Sequence, residues 1–163
     1  MSKKMLFIFA LVLLYWLWNK SCSIESMPKN QQDKIVYIAK KQIGRPYVYG
    51  GHNPKKGFDC SGLVYYTFQE MDISVPRVSR DFVNFGTAVP LSEAEKGDII
   101  IFKDTDPKKK QAGHVGIIIS EYDEPLSFIH SSSSKKSRGV VITNFEERQH
   151  YQNRFMKIVR ATK

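Results

Sequence analysis

The order of the periodic segments predicts an α+β domain, with N-terminal helices packed on an antiparallel sheet of about five to six strands. Apolar residues recur at helical spacing over residues 32–43 and 60–70, and a short helical segment follows at 79–85. Beyond that point the segments are short, β-branched and bounded by turn residues. They predict strands over residues 98–102, 115–119, 126–130, 140–144 and 156–161.

The N-terminus has a different character. Two lysines precede an uninterrupted apolar run over residues 5–18, which has no amphipathic period and is shorter than the roughly 20 residues that span a bilayer. This pattern predicts a signal peptide over residues 1–21 and export to the periplasm or cell envelope. A polar tether follows over residues 22–31, and residues 32–163 are long enough for one folded domain.

The cysteine at the end of the leader has several interpretations. Ser21 and Cys22 resemble a bacterial lipoprotein processing site, where the cysteine is lipidated and becomes the mature N-terminus. The alternatives are a membrane anchor formed by the apolar segment itself and an unmodified cysteine. An oxidising compartment also allows a Cys22–Cys60 disulfide, although one cysteine lies in a leader and the other opens a core helix.

Charge and composition restrict the partners. The formal net charge is +9, and removing residues 1–21 takes away three lysines and no acid, which leaves +6. A basic surface favours polyanions, which for an exported protein are envelope polymers and lipid head groups. The lysines at 108–110 and 135–136 lie in loop-like segments without interleaved aromatic residues, so we expect no nucleic-acid binding. We expect a monomer without cofactor or metal, because the cysteines and histidines lack zinc-ligand spacing.

The helices have sequence signals at their ends. Gly44 ends the first helix, and a glycine-rich loop follows it. Asp59 is predicted to cap the second helix, and Ser79 a third that ends before Gly86.

The second helix places a cysteine where a nucleophile is activated. With Asp59 as the cap, Cys60 lies in the first turn, where free backbone amides and the helix dipole are expected to lower the pKa of its thiol. Ser61 and Gly62 are small and leave room for a substrate backbone. Such a thiolate is a nucleophile that needs a proton acceptor nearby.

Two histidines are candidates for that acceptor. His114 begins one predicted strand, with glycines on both sides, and His130 ends the next. In neighbouring antiparallel strands these two ends lie side by side, so both rings are expected at one edge of the sheet. His114 would accept the thiol proton while His130 orients its ring. Each residue alone also fits a structural role, so the prediction depends on the whole set, Cys60 included.

Four segments in order carry a resemblance to a known family. They are residues 58–64 (FDCSGLV), 96–102 (KGDIIIF), 113–117 (GHVGI) and 128–131 (FIHS). They resemble the signatures of the NlpC family of cell-wall peptidases, and the resemblance extends from about residue 30 to the C-terminus. It implies a papain-like α+β fold and hydrolysis of D-alanyl–diaminopimelyl or γ-D-glutamyl–diaminopimelyl bonds in peptidoglycan peptides.

The resemblance also implies residue roles. Cys60 becomes the nucleophile, His114 the base and His130 the third polar residue. Tyr47, in the segment 47–51 (YVYGG), becomes the hydroxyl near the oxyanion, beside the backbone amides of Cys60 and Ser61.

A further set of residues is implied in substrate binding, namely Asp59, Ser61, Arg77 and Ser79. Val78 stands where some γ-D-glutamyl-specific members of the family carry an acid. Two other functions stay open: a murein-binding module without activity, and a papain-like amidase or acyltransferase acting on another envelope substrate.

Overall fold

A computed structural model of the protein describes residue 28 and residues 30–161. The predicted signal peptide and Cys22 therefore lie outside the described residues. No helix within the described part of the chain is long and apolar enough to cross a membrane.

The described chain has the α+β architecture that the sequence predicts. Its helices are α1 (Gln31–Lys40), α2 (Cys60–Gln69) and α3 (Gln149–Gln152), with 3₁₀ helices at Ser79–Asn84 and Leu91–Glu93. Its strands are β1 (His52–Asn53), β2 (Gly57–Phe58), β3 (Thr87–Val89), β4 (Ile99–Lys103), β5 (Ala112–Ile118), β6 (Ser127–Ser132), β7 (Gly139–Asn144) and β8 (Phe155–Arg160). The two short strands β1 and β2 pair as a small hairpin just before α2.

The main sheet has six strands in the order β3-β8-β4-β5-β6-β7, and every neighbouring pair is antiparallel. The five strands expected from the sequence are present within a few residues of their predicted bounds. The sixth, β3, lies at one edge with two of its three residues exposed, so it has no apolar pattern to predict it. The sheet has buried clusters on both faces, and α1 and α2 cover one of them.

The third predicted helix forms, but its expected cap does not. It is a 3₁₀ helix whose capping position is Val78, with no side-chain hydrogen bond, and Ser79 is already inside the helix. In this turn the Asp81 amide donates a hydrogen bond to the Val78 carbonyl, so the backbone closes the turn without the Ser79 hydroxyl.

A β-bulge interrupts the pairing of β4 with β5 next to His114. Phe102 is opposite His114, whereas Lys103 is opposite Ala112, so Gly113 is an extra residue on β5. A Cβ on Gly113 would lie 2.5 Å from the Cα of Asp104, so a side chain does not fit there. Bulges bend a strand and redirect the neighbouring side chain, and here that side chain is His114.

Candidate active site

The N-terminus of α2 carries the cysteine that the sequence singles out. Asp59 caps the helix as predicted, with its Oδ1 accepting a hydrogen bond of 2.6 Å from the Gly62 amide. Cys60 is the first helical residue, a half-buried free thiol whose Sγ lies 3.9 Å from the Gly113 carbonyl oxygen. The thiol therefore sits between the start of α2 and the bulge of β5.

The glycine-rich loop packs directly on the start of this helix. A Cβ on Gly62 would lie 1.9 Å from the Gly51 carbonyl oxygen, so the loop approaches α2 only because residue 62 has no side chain. The amide of Asp59 also donates to the Gly51 carbonyl at 3.0 Å. This contact holds the segment that contains Tyr47 beside Cys60.

An ion pair between Arg77 and Asp59 also holds this loop in place. The Arg77 guanidinium donates to both carboxylate oxygens of Asp59, at 3.0 and 3.1 Å, and to the Gly50 carbonyl at 2.8 Å. The second Asp59 oxygen also accepts from the Gly50 amide at 2.9 Å, and the Ser61 hydroxyl lies 3.2 Å from Arg77. Both Asp59 oxygens are thus bonded to the protein, and this network forms one wall of the site.

The two histidines meet at one end of neighbouring strands, as the sequence predicts. His114 Nε2 lies 3.0 Å from His130 Nδ1, and the two rings are nearly perpendicular, at 85°. A Cβ on Gly116 would lie 2.8 Å from the Phe128 ring and 3.3 Å from the His130 Cβ. The second glycine of the GHVG segment therefore makes room for His130.

The histidine pair continues into residues that the sequence analysis missed. His130 Nε2 lies 3.0 Å from the Thr143 hydroxyl on β7 and 3.5 Å from the Tyr151 hydroxyl on α3. Thr143 could have been found from strand alternation, because it shares a sheet face with Val141, which is paired with His130. Tyr151 had no such signal, since it lies on a four-residue helix.

These contacts are compatible with an arrangement of protons in which His114 can act as a base. If His114 is to accept the Cys60 proton on Nδ1, its own proton must be on Nε2, from which it donates to His130 Nδ1. His130 then carries its proton on Nε2 and donates to Thr143. In this arrangement the Thr143 hydroxyl is the nearer acceptor for His130 Nε2, and the Tyr151 hydroxyl is the farther one.

Arg154 is a second residue that the sequence analysis missed. Its guanidinium donates to the Lys103 carbonyl at 3.0 Å and to His150 Nε2 at 2.8 Å, and it lies over the Tyr151 ring at 5.3 Å. Its positive charge is half-buried behind the histidine pair, where it disfavours a second positive charge.

The electrostatics favour a neutral histidine pair. Burial, then the neighbouring His130 and Arg154, hold the pKa of His114 well below 6.5. Burial and Arg154 lower the pKa of His130 to about 3. Both rings are uncharged near pH 7, so His114 has a free lone pair available as a base.

The predicted activation of the thiol at rest is wrong in direction. Burial, followed by the Asp59 carboxylate, raises the pKa of the Cys60 thiol, although the amides of Val115, Ser61 and Cys60 act to lower it. The cost of removing a thiolate from water exceeds the stabilisation that the helix N-terminus gives it. The helix effect is small, and the capping residue is itself an anion. The resting site therefore contains a neutral thiol and a neutral imidazole.

A groove of about 370 Å³ opens in front of the thiol. Its walls include Tyr47, Asp59, Cys60, Ser61, Arg77, Val78 and Ser79. Burial and the nearby Cys60 raise the pKa of Tyr47, so its hydroxyl keeps its proton. The residues that the resemblance singled out thus line this groove, except His114 and His130, which lie on β5 and β6, with His114 next to the residue that Cys60 contacts.

A cysteine in the first turn of a helix, in contact with the strand whose histidine ring is held by a second polar side chain, is typical of the papain-like class of fold and site. The model of the NlpC/P60 family matches residues 44–160. The chain belongs to the NlpC/P60 family.

Several curated proteins are similar to the chain. A γ-DL-glutamyl hydrolase of Bacillus subtilis is 38% identical over 122 residues, which cover 75% of this chain and 28% of that protein. The murein DD-endopeptidase MepH of Escherichia coli is 39% identical over 82 residues, covering 48% and 30%. The probable endopeptidase NlpC of Escherichia coli is 32% identical over 137 residues, covering 78% and 84%. The chain thus spans less than a third of the length of the first two relatives.

The solved structures agree on the fold. An NlpC/P60 family protein from Bacillus cereus superposes with a TM-score of 0.71 at 29% identity, over 83% of this chain and 41% of that one. The α+β papain-like fold expected from the sequence is thereby confirmed.

Proposed function

We propose that the protein is an exported cysteine endopeptidase that hydrolyses peptide bonds of peptidoglycan. The observation that carries the proposal is that Cys60 lines an open groove and contacts the β5 backbone at Gly113, next to His114, whose ring continues through hydrogen bonds into His130 and Thr143. A nucleophile, a neutral base and an orienting group in series are the components of acyl transfer through a thioester. The names of the relatives, a γ-DL-glutamyl hydrolase and a murein DD-endopeptidase, support peptidoglycan as the substrate.

The chemistry divides into two half-reactions. His114 Nδ1 takes the Cys60 proton as Sγ attacks the scissile carbonyl, and the developing oxyanion accepts hydrogen bonds from backbone amides at the start of α2 and from the Tyr47 hydroxyl. The His114 imidazolium then gives its proton to the leaving amine, and a thioester remains on Cys60. Water, deprotonated by His114, hydrolyses that thioester and restores the thiol.

The hydrogen-bonded histidine pair supplies the base for both half-reactions. When His114 becomes charged in the first step, its Nε2 proton stays hydrogen-bonded to the neutral His130. Because burial and Arg154 oppose that charge, the imidazolium is a strong acid and gives its proton readily to the amine.

The test uses purified muropeptides and the full-length protein. We expect products whose masses identify one cut bond, either D-alanyl–diaminopimelyl or γ-D-glutamyl–diaminopimelyl. Cys60→Ser retains size and hydrogen bonding but should yield no product, and Lys34→Ala on the exposed face of α1 should be as active as wild type. If wild type and Cys60→Ser leave every muropeptide intact, the peptidase assignment is wrong.

The N-terminal leader is the basis for the proposed location of the protein in the cell envelope. We propose that residues 1–21 direct export and that Cys22 is lipidated, which would attach the domain to a membrane through its tether. Mass spectrometry of the mature protein tests this: lipidation predicts a diacylglyceryl Cys22 at the N-terminus and its loss in Cys22→Ala. An intact leader, or a mature N-terminus other than Cys22, contradicts the lipid anchor.

A further inference from the structure

Ser131 is a completely buried serine that follows His130 on β6. Its Oγ donates a hydrogen bond of 2.7 Å to the Phe58 carbonyl, which lies 73 positions away in the chain. Phe58 is also completely buried and belongs to the apolar cluster that α1 and α2 cover. Burying a hydroxyl among apolar side chains costs free energy unless the hydroxyl is bonded. The bond to Phe58 is therefore what makes a serine acceptable at this position.

His130 and Ser131 point to opposite faces of the sheet, because successive side chains of a strand alternate. The His130 ring packs against Phe128, which belongs to the cluster on the face that α2 does not cover. Ser131 reaches Phe58 on the other face, beneath α2. Two consecutive residues of β6 thus hold the orienting histidine on one side and the segment before the nucleophile on the other.

The peptide groups of Phe58 join the Tyr47 segment to the start of α2. The Phe58 amide donates to the Pro46 carbonyl at 3.0 Å, and its carbonyl accepts from the Val48 amide, also at 3.0 Å. The capping residue of α2 and Cys60 follow directly in the chain. A displacement of Phe58 therefore moves the proposed nucleophile and the proposed oxyanion hydroxyl of Tyr47 together.

The proposed nucleophile and the proposed base lie on different elements, α2 and β5. The Cys60 Sγ contact with the Gly113 carbonyl is long, at 3.9 Å. The Ser131 bond is shorter, at 2.7 Å, and lies in the interior, where water does not compete for it. Apolar contacts between α2 and the sheet have no preferred direction, whereas a hydrogen bond does. The Ser131 bond thus constrains where the start of α2 lies on the sheet.

We propose that Ser131 is a positioning residue, which through the Phe58 carbonyl sets the distance between the Cys60 thiol and the histidine pair. This inference rests on the proposed function for the reaction that the pair performs. Ser131 is not among the residues that line the groove at Cys60, so replacing it leaves the groove's own side chains in place. Without its hydroxyl, the Phe58 carbonyl keeps the Val48 amide as a donor but loses its bond to β6, and the start of α2 can move away from the sheet.

The test measures thiol reactivity and turnover of Ser131→Ala in the full-length protein. Burial raises the pKa of the Cys60 thiol, so a thiol that moves away from β5 gains water and its pKa falls. Alkylation of Cys60 by iodoacetamide at pH 8, followed by mass spectrometry of its peptide, should be about threefold faster, because the thiolate fraction rises. On muropeptides, kcat should fall about tenfold with little change in KM, since the thiol no longer lies at its proper distance from the base.

The controls separate positioning from a general loss of stability. Ser131→Thr keeps the hydroxyl and should restore both quantities towards wild type. Ser132→Ala removes the next buried hydroxyl of β6, whose contacts are with Ser134 and Ser137, and should change neither quantity. Urea unfolding verifies that each variant is folded under the assay conditions. If Ser131→Ala does not fold, Ser131→Cys keeps a similar shape with a weak donor and should show the same two changes.

The outcomes distinguish this inference from the proposed function. Unchanged alkylation in Ser131→Ala, or the same changes in Ser132→Ala, overturns the positioning role even if wild type cleaves muropeptides. Faster alkylation with an unchanged kcat in an active enzyme overturns it as well. If wild type cleaves no muropeptide, the proposed function fails, whereas faster alkylation in Ser131→Ala and not in Ser132→Ala still shows that Ser131 places the Cys60 thiol.

Discussion

At the scale of single residues, the site is a chain of uncharged groups ordered by hydrogen bonds. His130 is 1% exposed, and its two ring nitrogens are bonded to His114 and Thr143. A buried ring in such a position is held in one tautomer, and that tautomer determines whether His114 presents a lone pair or a proton to Cys60. In the proposed mechanism, catalysis therefore depends on a neutral site at rest and on a transient charge at His114.

The first prediction concerns the pH dependence of thiol reactivity. Because the pKa of Cys60 is raised above 9.0, alkylation by iodoacetamide should increase with pH and have its midpoint above 9.0. The modified Cys60 peptide is followed by mass spectrometry, which separates it from Cys22. A midpoint below pH 8 would show that a thiolate–imidazolium pair exists at rest and would contradict the neutral site.

The acid side of the activity profile is a separate prediction. The base is active only when neutral, and its pKa lies well below 6.5. The acid limb of kcat/KM should therefore lie below pH 6.5, and activity should persist where an ordinary histidine is already protonated. Replacing Arg154 by Gln removes a nearby positive charge, so the limb should move to higher pH. An unchanged limb in Arg154→Gln would contradict the electrostatic role of Arg154.

Thr143 is predicted to act as a positioning residue. Thr143→Val keeps the shape of the side chain but removes the acceptor for His130 Nε2, and a hydrogen bond of this kind is worth on the order of 1 kcal/mol. We expect kcat to fall about fivefold to tenfold with little change in KM. Thr143→Ser should recover most of the rate. Equal activity of the Val and Ser variants would show that the Tyr151 hydroxyl already suffices.

At the scale of elements, backbone contacts position the proposed catalytic groups. The start of α2 packs on the 47–51 loop through Gly62, and the bulge at Gly113 redirects His114. Each contact requires a glycine for space and not for an unusual dihedral angle, since neither residue has a positive φ. The small residues around Cys60 and His114 are therefore part of the site's construction.

The close contact between Gly62 and the Gly51 carbonyl gives a prediction in which effects on stability and on activity can be separated. Gly62→Ala would place a methyl group 1.9 Å from the Gly51 carbonyl, so the loop that carries Tyr47 must move. We expect a loss of about 1–3 kcal/mol in unfolding free energy, as for an overpacked site, and a large loss of kcat/KM. The matched control is Gly44→Ala, where φ is +81° but the surrounding space is open.

The control should lose stability for a different reason. Alanine at a left-handed position costs about 1 kcal/mol, and Gly44 lies four residues beyond the end of α1, outside the groove at Cys60. Its unfolding free energy, measured in urea, should therefore fall while kcat/KM is retained. If both variants lose activity in proportion to stability, the contact at Gly62 has no specific role in the site.

Elements whose own residues carry a helix or strand pattern could be predicted from the sequence. The capping of α2 by Asp59, the helices α1 and α2 and the five main strands follow from local periodicity and end residues. The strand β3 was missed because it is short and largely exposed, and its position depends on pairing with β8. The cap by Ser79 was wrong because a 3₁₀ turn closed through the backbone of Val78.

The residues of the site also divide into those that local sequence patterns predict and those that depend on tertiary packing. His114 and His130 could be placed together because strand order brings adjacent strand ends side by side. The pKa of Cys60 could not be predicted, because it depends on how deeply the thiol is buried, and that is set by packing between α2 and β5. Arg154 was missed for a similar reason, since its contacts with Lys103 and His150 join distant segments.

At the scale of the whole molecule, neutral buried histidines connect the site to folding stability. The sheet covers His130 completely, and its pKa falls from 6.5 to about 3 on folding. Between these two values the unfolded chain binds a proton that the folded protein excludes. Stability therefore decreases as pH falls from 6.5 towards 3, and His114 acts in the same direction because its pKa is also lowered.

The last prediction measures this linkage. Lowering the pH from 7 to 5 should reduce the unfolding free energy by about 2 kcal/mol through His130 alone, because most of its titration in the unfolded chain lies in that interval. Urea unfolding at the two pH values gives the difference. His130→Asn removes one titrating ring, so its stability should depend less steeply on pH, even though the variant is less stable at pH 7. An equally steep dependence in His130→Asn would mean that other groups cause the acid sensitivity and that His130 is not held neutral by the fold.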